Sequence, residues 1–418
     1  MRFQINTLDD VEVKGKTVLC RIDINQPVDR VKGTLKDTTR IKACIPTLQE
    51  LSDKGAKLVL LAHQGSDIEY KNFYTTEPHA GVISEFLGRE VKFIPDVCGP
   101  AAIEAIKLLN DGEILLLDNV RYVSEEQTLF ELNLHLTHEQ QAETLLVRKL
   151  APLADMYICD AFAAAHRDQP SLCGFEQVLP SAMGRLFEEE FCVISSLMEE
   201  PVRPCVFVLG GAKINDAFMM MGTVLERGIA DSVLVGGLVA QVLLWANGDE
   251  IGGASRDFIR KQGYDHFVDT AKELLSKYSE RILMPNDFAY VKNGNRFECG
   301  VGALPKGELI VDIGSDTAKR FQTEIRCAKT VFVNGPVGVF EQKPSELGTK
   351  MVWDALGDTA AYTVIGGGDS ITATAKYSKT DKISYICTGG GALIRFLTGE
   401  ELPVVKALRH GSKVKQEG

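Results

Sequence analysis

The chain has 418 residues, of which 45% are hydrophobic and 25% charged; this balance is typical of globular proteins and argues against a disordered chain. The length predicts two or three domains at about 100–200 residues each. A formal net charge of −11 repels phosphate backbones, so we expect no nucleic-acid partner. No apolar run approaches the roughly 18 residues that span a bilayer, and the start contains no secretory signal, so we expect no membrane partner. Ten scattered cysteines without a CxxC pair predict reduced thiols and a cytoplasmic location.

Short apolar runs alternate with helical stretches along the whole chain. In the first half the runs are Val18–Cys20, Leu58–Ala62, Ile114–Leu117 and Met156–Cys159. In the second half they are Val206–Leu209, Ser232–Val235, Ile282–Met284, Glu308–Val311, Thr330–Val333, Ala361–Ile365 and Ile383–Cys387. Runs of this length indicate parallel strands that are covered on both faces. The sequence therefore predicts an α/β fold with two Rossmann-like domains, each an open parallel sheet flanked by helices.

Helical signals predict how these domains are joined. Thr137 and Gln140 are placed as a capping box before a helical stretch that continues to about Leu153. Apolar residues at helical spacing predict a central helix over 181–200, which we expect to link the domains as a hinge. The first domain would then cover 1–180 and the second 201–401. The basic tail, about 402–418, is expected to pack on the body of the protein or to fray.

Polar residues that follow the strands are the first candidates for a site, because ligands of open α/β sheets bind beyond the carboxyl ends of the strands. In the first half these residues are Arg21, Asp23, Asn25, His63, Asn119, Arg121, Asp160, His166 and Arg167, with Arg40 just before an apolar helical stretch. Each arginine could simply pair with a neighbouring carboxylate. Convergence of the whole set instead predicts a cup for a small, strongly anionic, phosphorylated ligand, because guanidinium groups match phosphate and carboxylate oxygens.

Glycine clusters end the strands of the second half. They are Gly210-Gly211-Ala212-Lys213, Gly236-Gly237, Asn334-Gly335-Pro336, Gly366-Gly367-Gly368-Asp369 and Thr388-Gly389-Gly390-Gly391. Such turns let backbone N–H groups approach phosphate oxygens, and a following helix dipole adds to the attraction. Lys213 would neutralise a transferring phosphoryl group, and Asp369 would hold Mg²⁺ together with phosphate oxygens. The alternatives are a solvated lysine and an aspartate that caps a helix.

Several short patterns resemble known motifs but are incomplete. Gly15-Lys16-Thr17 lacks the first glycine of a Walker A loop. Ile371 and Ile394 stand at the third glycine position of two dinucleotide-like patterns. His135 and His138 have no further ligand at useful spacing, so they do not favour a metal site. A GxSxG elbow is absent, so an α/β-hydrolase has no support.

Nine motifs in order carry a resemblance to a known family. They are RIDINQP (21–27), TTRI (38–41), LLAHQG (60–65), LLLDNVRY (115–122), DAFAAAHR (160–167), VLGGAKI (208–214), VNGPVGVFE (333–341), GGGDS (366–370) and CTGGGA (387–392). With these motifs the chain resembles the phosphoglycerate kinase family along nearly its whole length, and its HQG turn resembles the archaeal form of the family.

The resemblance implies binding residues in both predicted domains. The first domain would bind 3-phosphoglycerate or 1,3-bisphosphoglycerate through Asp23, Asn25, Arg40, His63, Arg121, His166 and Arg167. The second would bind ATP or ADP through Gly211, Ala212, Lys213, Gly236, Gly237, Asn334, Glu341, Gly366, Gly367, Gly368, Asp369 and Ser370, with Mg²⁺ ligated by Asp369. The C-terminal tail would return to the first domain.

The implied reaction is the reversible, Mg²⁺-dependent phosphoryl transfer between 1,3-bisphosphoglycerate with ADP and 3-phosphoglycerate with ATP, a step of glycolysis and gluconeogenesis. Such transfer needs positioning and charge stabilisation more than a covalent intermediate. The residues expected to assist it are Arg40, Lys213, Gly367, Gly368 and Gly390. Hinge closure would bring the substrates together, and the protein would be a monomer or a homodimer.

Two positions depart from the pattern of many family members. Ala217 stands where a second lysine reaches the nucleotide phosphates, and Ser66 stands where an arginine follows the glycine of the His63 turn. These departures keep two alternatives open: a catalytically silent relative that binds nucleotide or phosphoglycerate, and a kinase for another anionic acceptor. A nicotinamide dehydrogenase has the least support, because the glycine patterns are incomplete.

Overall fold

The computed structural model describes residues 3–29, 31–65, 73–377 and 379–414. The chain forms two compact units, of which the first contains Met1–Val193 with Glu401–Gly418 and the second contains Ile194–Glu400. Among the residues that are described, no helix combines the length and the apolar character needed to cross a membrane.

The N-terminal segment of the first unit contains eight described strands and all but one of the helices described for that unit. The strands are β1 (Thr17–Arg21), β2 (Val28–Asp29), β3 (Thr34–Leu35), β4 (Lys57–Leu61), β5 (Val91–Ile94), β6 (Ile114–Leu117), β7 (Met156–Cys159) and β8 (Ser181–Met183). The helices are α1 (Thr39–Asp53), α2 (Glu77–Leu87), α3 (Pro100–Lys107), α4 (Thr128–Leu134), α5 (His138–Ala142), α6 (Leu145–Leu150), α7 (Pro170–Cys173) and the first part of α8 (Arg185–Glu199).

Six of these strands form one parallel sheet in the order β5-β6-β4-β1-β7-β8. In its centre Cys20 of β1 lies beside Leu60 of β4 and Ile158 of β7. All three side chains are fully buried, because helices cover both faces of the sheet and the apolar runs are continuous. The carboxyl ends of parallel strands share one edge, so the residues after β1, β4, β6 and β7 meet there.

The second unit has a parallel sheet of its own and a smaller antiparallel one. The strands are β9 (Cys205–Leu209), β10 (Ser232–Val235), β11 (Ile282–Leu283), β12 (Asp287–Lys292), β13 (Asn295–Gly300), β14 (Asp312–Ile313), β15 (Thr330–Asn334), β16 (Tyr362–Gly366) and β17 (Tyr385–Ile386). The helices are α9 (Ile214–Glu226), α10 (Gly237–Asn247), α11 (Gly253–Lys261), α12 (Phe267–Tyr278), α13 (Ser315–Cys327), α14 (Leu347–Asp358), α15 (Gly368–Lys376) and α16 (Gly390–Leu397). The parallel sheet has the order β11-β10-β9-β15-β16-β17, and the antiparallel sheet has the order β13-β12-β14.

The predicted α/β fold with two parallel sheets is confirmed, but the strand predicted over Glu308–Val311 is wrong. That segment is irregular, and the short strand beside it is β14. Its backbone groups are satisfied without a ladder: the N–H of Ile310 donates to Ser255 Oγ at 3.3 Å, and that of Val311 donates to the carbonyl of Ala289 at 2.9 Å. The hairpin of β12 and β13, which closes on an Asn293-Gly294 turn with positive φ at both residues, was not predicted.

The helices near residues 137–200 also differ from the sequence-based boundaries. The capping box of Thr137 and Gln140 is confirmed, but its helix, α5, ends at Ala142 and a separate α6 follows. Residues 181–183 form β8 on the edge of the first sheet, so the central helix begins at Arg185 rather than at 181. The division between the two units falls within this helix, after Val193.

The C-terminal helix α17 (Pro403–Gly411) packs within the first unit. The N–H of Val404 donates to the carbonyl of Ala165 at 3.4 Å. Beyond the helix, Ser412 Oγ accepts a hydrogen bond from the N–H of Asn6 at 2.8 Å. The end of the chain is therefore attached to the unit in which the chain begins.

Candidate functional site

A buried histidine lies among four arginines at the carboxyl edge of the first sheet. Burial, together with the positive charges of Arg21, Arg121, Arg167 and Arg40, lowers the pKa of His63 well below its usual value, so the imidazole is neutral at physiological pH. Arg21 ends β1, Arg121 and Arg167 follow β6 and β7, and Arg40 lies in the first turn of α1, which explains why residues far apart in sequence meet here. The concentration of positive charge in an acidic protein is suited to an anionic ligand.

Arg121 carries unsatisfied hydrogen-bond donors. It is 1% exposed, and burial and the nearby Arg167 and Arg21 lower its pKa to about 10, so it remains charged. Its Nη1 donates to the carbonyl of Gly65, but Nε and Nη2 have no hydrogen-bond partner in the part of the chain that the structure describes. A buried charged donor without a partner costs free energy, and an anionic ligand would remove that cost.

The loops after β1 and β4 are held together by short polar contacts. Arg40 donates to Asp23 in an ion pair, as expected if an arginine pairs with a neighbouring carboxylate. Asp23 also accepts from the N–H of Asn25 at 3.1 Å. Asn25 Oδ1 in turn accepts from the N–H of Gly65 at 2.9 Å. The arrangement leaves Arg40 partly exposed at the edge of the cup.

The turn after β7 supplies the last residues of the predicted cup. Arg167 donates to Thr128 Oγ1 at 3.2 Å and lies 3.8 Å from Glu131 Oε2, so its guanidinium is held against α4. His166 precedes it and is half-buried. Ser66 and its neighbour Asp67, where the family pattern changes, lie outside the described residues.

The structure brings two further potential metal ligands near His138, which the sequence spacing did not indicate. Ligand atoms of His138, Asp168 and Cys173 lie within 4.8 Å of one another. Asp168 already accepts from Gln141 Nε2 at 2.5 Å, and burial raises the pKa of the Cys173 thiol well above its usual value. Because Cys173 Sγ also donates to the carbonyl of Arg167 at 3.8 Å, we interpret this group as a hydrogen-bonded cluster that supports the turn at Arg167.

The second unit contains a cavity of about 320 Å³ at the carboxyl edge of its sheet. The cavity is mostly apolar. Its lining includes the predicted residues Gly211, Ala212, Gly237, Glu341 and Asp369. Sequence reasoning missed Leu238, Gln241, Phe258, Leu309, Ile310, Val311, Val339 and Phe340, which also line it. An apolar cavity of this size with a few polar groups at its rim is typical of a small-molecule site.

A narrower cavity shares three residues with the first, Gly211, Ala212 and Asp369, and continues along the glycine turns. It is lined by Gly210, Gly211, Ala212, Lys213, Asn334, Gly335, Gly367, Gly368, Asp369 and Ser370. Helix α15 begins at this cavity with Gly368, and α9 begins directly after Lys213. The free N–H groups and the dipoles at two helix N-termini favour phosphate here.

Lys213 and Asp369 provide the two charged side chains of this narrower cavity. Both are exposed, and among the described residues neither has an ion-pair partner. Taken one at a time, Lys213 could be an ordinary solvated lysine and Asp369 an ordinary aspartate in the first turn of a helix. Their position at one glycine-lined cavity favours an interaction with a phosphate and its cation.

Three of the residues predicted for the site of the second unit line neither cavity. Gly236 lies against Val337, and Gly366 lies against Leu393, so a side chain at either position would collide with the core. Gly390 has φ of 51° at the first position of α16. The geometry gives Gly236 and Gly366 a packing role, while a role for any of the three toward a ligand stays a prediction.

The family model of phosphoglycerate kinase matches residues 8–400 of this chain. The chain belongs to the phosphoglycerate kinase family. Among its relatives, the phosphoglycerate kinase of Methanothermobacter thermautotrophicus is 47% identical over 406 residues, which are 97% of each chain. That of Methanothermus fervidus is 44% identical over 98% of each chain.

Solved structures of the phosphoglycerate kinase family agree with this assignment. The crystal structure of phosphoglycerate kinase from Pyrococcus horikoshii OT3 has a TM-score of 0.86 at 38% identity and covers 97% of this chain and 99% of its own. The structure of phosphoglycerate kinase from Coxiella burnetii has a TM-score of 0.83 at 27% identity. The resemblance inferred from the nine motifs is confirmed.

Proposed function

We propose that this chain catalyses the reversible transfer of a phosphoryl group between 1,3-bisphosphoglycerate with ADP and 3-phosphoglycerate with ATP. The observation that carries the proposal is the cup of the first unit, where burial and the charges of four arginines keep His63 neutral. Such a cup fits a small ligand that bears both a carboxylate and a phosphate. Family membership supplies the reaction for which that ligand is the acceptor.

In this proposal the first unit binds phosphoglycerate. The residues that bind it are Asp23, Asn25, Arg40, His63, Arg121, His166 and Arg167. Arg121 contributes most to affinity, because its buried Nε and Nη2, which have no partner among the described residues, gain hydrogen bonds when the anion binds. Asp23 fixes Arg40 through their ion pair and thus acts on the ligand mainly through that arginine.

The nucleotide binds to the second unit. The purine occupies the apolar cavity, whose lining includes Gly237 and Val339, and its ribose lies toward Glu341, which also lines that cavity. The phosphates continue into the narrower cavity, where Asn334, Gly367, Gly368 and Ser370 line the path. An apolar cavity of this kind accepts any purine base.

Mg²⁺ fits the residues that surround the phosphate path. Asp369 is an exposed carboxylate on both cavities, and Mg²⁺ in nucleotide sites uses one or two carboxylates together with phosphate oxygens. We therefore propose that Asp369 holds Mg²⁺. When bound, the ion neutralises phosphate charge and orients the phosphates.

The protein residues then contribute positioning and charge. Arg40 and Lys213 stabilise the negative charge on the transferring group, assisted by backbone N–H groups at Gly367, Gly368 and Gly390. The acceptor carboxylate is already ionised near neutral pH, so no general base is needed. Hinge closure is part of the proposal, because transfer requires both ligands at reacting distance. The oligomeric state and the cytoplasmic location stay predictions.

The decisive experiment is steady-state turnover of ATP with 3-phosphoglycerate, with Mg²⁺ and after chelation. A coupled dehydrogenase removes the acyl phosphate, whose formation is unfavourable. We expect robust turnover that chelation abolishes and added Mg²⁺ restores. Nucleotide binding without turnover would indicate a silent relative, and turnover with another anionic acid alone would indicate an altered acceptor.

Arg121→Ala tests which unit binds which substrate. We expect the affinity for 3-phosphoglycerate to fall by at least about tenfold, equivalent to one charged hydrogen bond, while the affinity for ATP is unchanged. Arg148→Ala, at an exposed arginine of α6 in the same unit, is the matched control. A loss of affinity for ATP alone would contradict the assignment of phosphoglycerate binding to the first unit.

A further inference from the structure

The tautomer of His63 is fixed by its contact with Arg21. The distance from Arg21 Nη2 to His63 Nδ1 is 3.1 Å. A guanidinium group donates hydrogen bonds and accepts none, so Nδ1 must be the acceptor and carry no proton. Because the ring is neutral, its proton is on Nε2. Among the described residues no hydrogen-bond partner occupies Nε2, which leaves this N–H available to a ligand.

Arg21 is itself held in place by a chain of buried hydrogen bonds. Its Nη1 donates to the carbonyl of Ile22 at 2.6 Å, and its Nε donates to Ser171 Oγ at 3.0 Å. Ser171 Oγ donates in turn to Glu126 Oε2 at 2.6 Å, and the Ser171 N–H donates to Glu126 Oε1 at 2.5 Å. Since the hydroxyl proton points to the carboxylate, the hydroxyl oxygen must accept from Arg21. Both Glu126 and Ser171 are fully buried.

These hydrogen bonds all donate in the same direction, from Arg21 to Ser171 and from Ser171 to Glu126. We propose that Glu126 is a positioning residue of the anion cup: acting through Ser171 and Arg21, it sets the Nε2–H tautomer of His63, and that N–H donates to an oxygen of the bound anion. The identity of the anion as phosphoglycerate rests on the function proposed above. The tautomer of His63 is inferred without reference to that function.

Another reading is that Glu126 only balances the charge of the buried arginines. Burial raises the pKa of Glu126, and its hydrogen bonds with Ser171 and the charges of Arg21 and Arg121 oppose that shift. A charge-balancing role would affect stability and would leave the His63 tautomer and the binding of phosphoglycerate unchanged. The two roles are therefore separable by experiment.

The first test is ¹⁵N NMR of the full-length chain labelled at the histidine rings, without ligand, with His63 assigned by its loss in His63→Gln. We expect a protonated Nε2, an unprotonated Nδ1 and no titration of this ring across pH 6–8. A protonated Nδ1, or a mixture of the two tautomers, would overturn the proposal. This measurement needs no variant of the positioning residues and no turnover, so it is independent of the proposed reaction.

The second test uses Glu126→Gln and Ser171→Ala. In both variants we expect mixed His63 tautomers and an increase of about tenfold in KM for 3-phosphoglycerate, with KM for MgATP unchanged. Glu176→Gln is the matched control, because Glu176 is a second fully buried glutamate of the same unit and makes no contact with Arg21 among the described hydrogen bonds. If both variants keep the His63 tautomer and the wild-type KM, Glu126 has no positioning role.

Discussion

Gly367 lies directly against the side chain of Asn334. A methyl group at position 367 would collide with Asn334 Oδ1, and Gly367 has φ of 85°, which side-chain-bearing residues rarely adopt. The loop is fixed on its other side too, since the N–H of Gly335 donates to Ser370 Oγ at 2.7 Å. Both segments line the narrower cavity, in which we propose that the nucleotide phosphates bind.

Gly367→Ala should therefore reduce nucleotide affinity. We expect a loss of at least about tenfold in the affinity for MgADP, measured by calorimetry, and roughly 1–3 kcal/mol of stability from the strained backbone. Gly228→Ala is the control: Gly228 has φ of 67° and open space around its Cβ position, and it lies outside both cavities. If the control loses as much nucleotide affinity as Gly367→Ala, the effect is due to strain and not to the contact with Asn334.

Lys213→Ala should affect the rate more than binding. Because Lys213 is exposed and the proposed mechanism uses its charge mainly in the transition state, we expect kcat to fall by at least about a hundredfold, with little change in Tm or in KM for 3-phosphoglycerate. Lys277→Ala, at an exposed lysine of α12 in the same unit, should behave as the wild type. Near-normal turnover of Lys213→Ala would remove Lys213 from the mechanism.

Much of the fold could be predicted because a sheet covered on both faces requires continuous apolar runs, such as Met156–Cys159. The candidate residues of the cup followed from the same reasoning, since parallel strands end at one edge. The run Glu308–Val311 was wrongly predicted to be a strand. Its apolar side chains line a cavity, and its backbone does not pair in a sheet. The β12–β13 hairpin was missed because its partly exposed strands lack a clear apolar run.

Other site residues carried no local signal. Gln241 and Phe258 reach the large cavity from α10 and α11, at positions that do not follow a strand. Glu126 and Ser171 lie 45 residues apart, and their contact is set by tertiary packing. A sequence read strand by strand identifies residues at strand ends, but it cannot identify side chains that reach the site from helix interiors or act through a partner.

Ala217→Lys tests whether the missing second lysine could be restored. Ala217 is fully buried on α9, so a lysine there would place an unpaired charge in the core, at an expected cost of about 3 kcal/mol or more in unfolding free energy. We expect a lower Tm and no gain in kcat. Met219→Lys is the control on the same helix, because Met219 is 49% exposed. A stable Ala217→Lys with higher kcat would show that this position can reach the nucleotide.

Asp160→Asn tests a buried carboxyl that accepts hydrogen bonds from the N–H groups of Leu186 and Phe187 at the start of α8. Burial raises the pKa of Asp160 from the usual 3.8 to about 7. The folded chain therefore binds this proton more tightly than the unfolded chain does, and the corresponding stability is lost as the pH rises from about 4 to about 7.

Asparagine does not titrate and keeps an oxygen that can accept from the two N–H groups. The substitution therefore removes only the pH-dependent part of the contribution of Asp160 to stability. We expect the Tm of the wild type, relative to Asp160→Asn, to decrease as the pH is raised from 5 to 8. Glu104→Gln, at an exposed carboxyl of α3, should show no comparable trend. A difference in Tm that stays constant, or grows in favour of the wild type as the pH rises, would mean that Asp160 is already ionised at pH 5 in the folded protein.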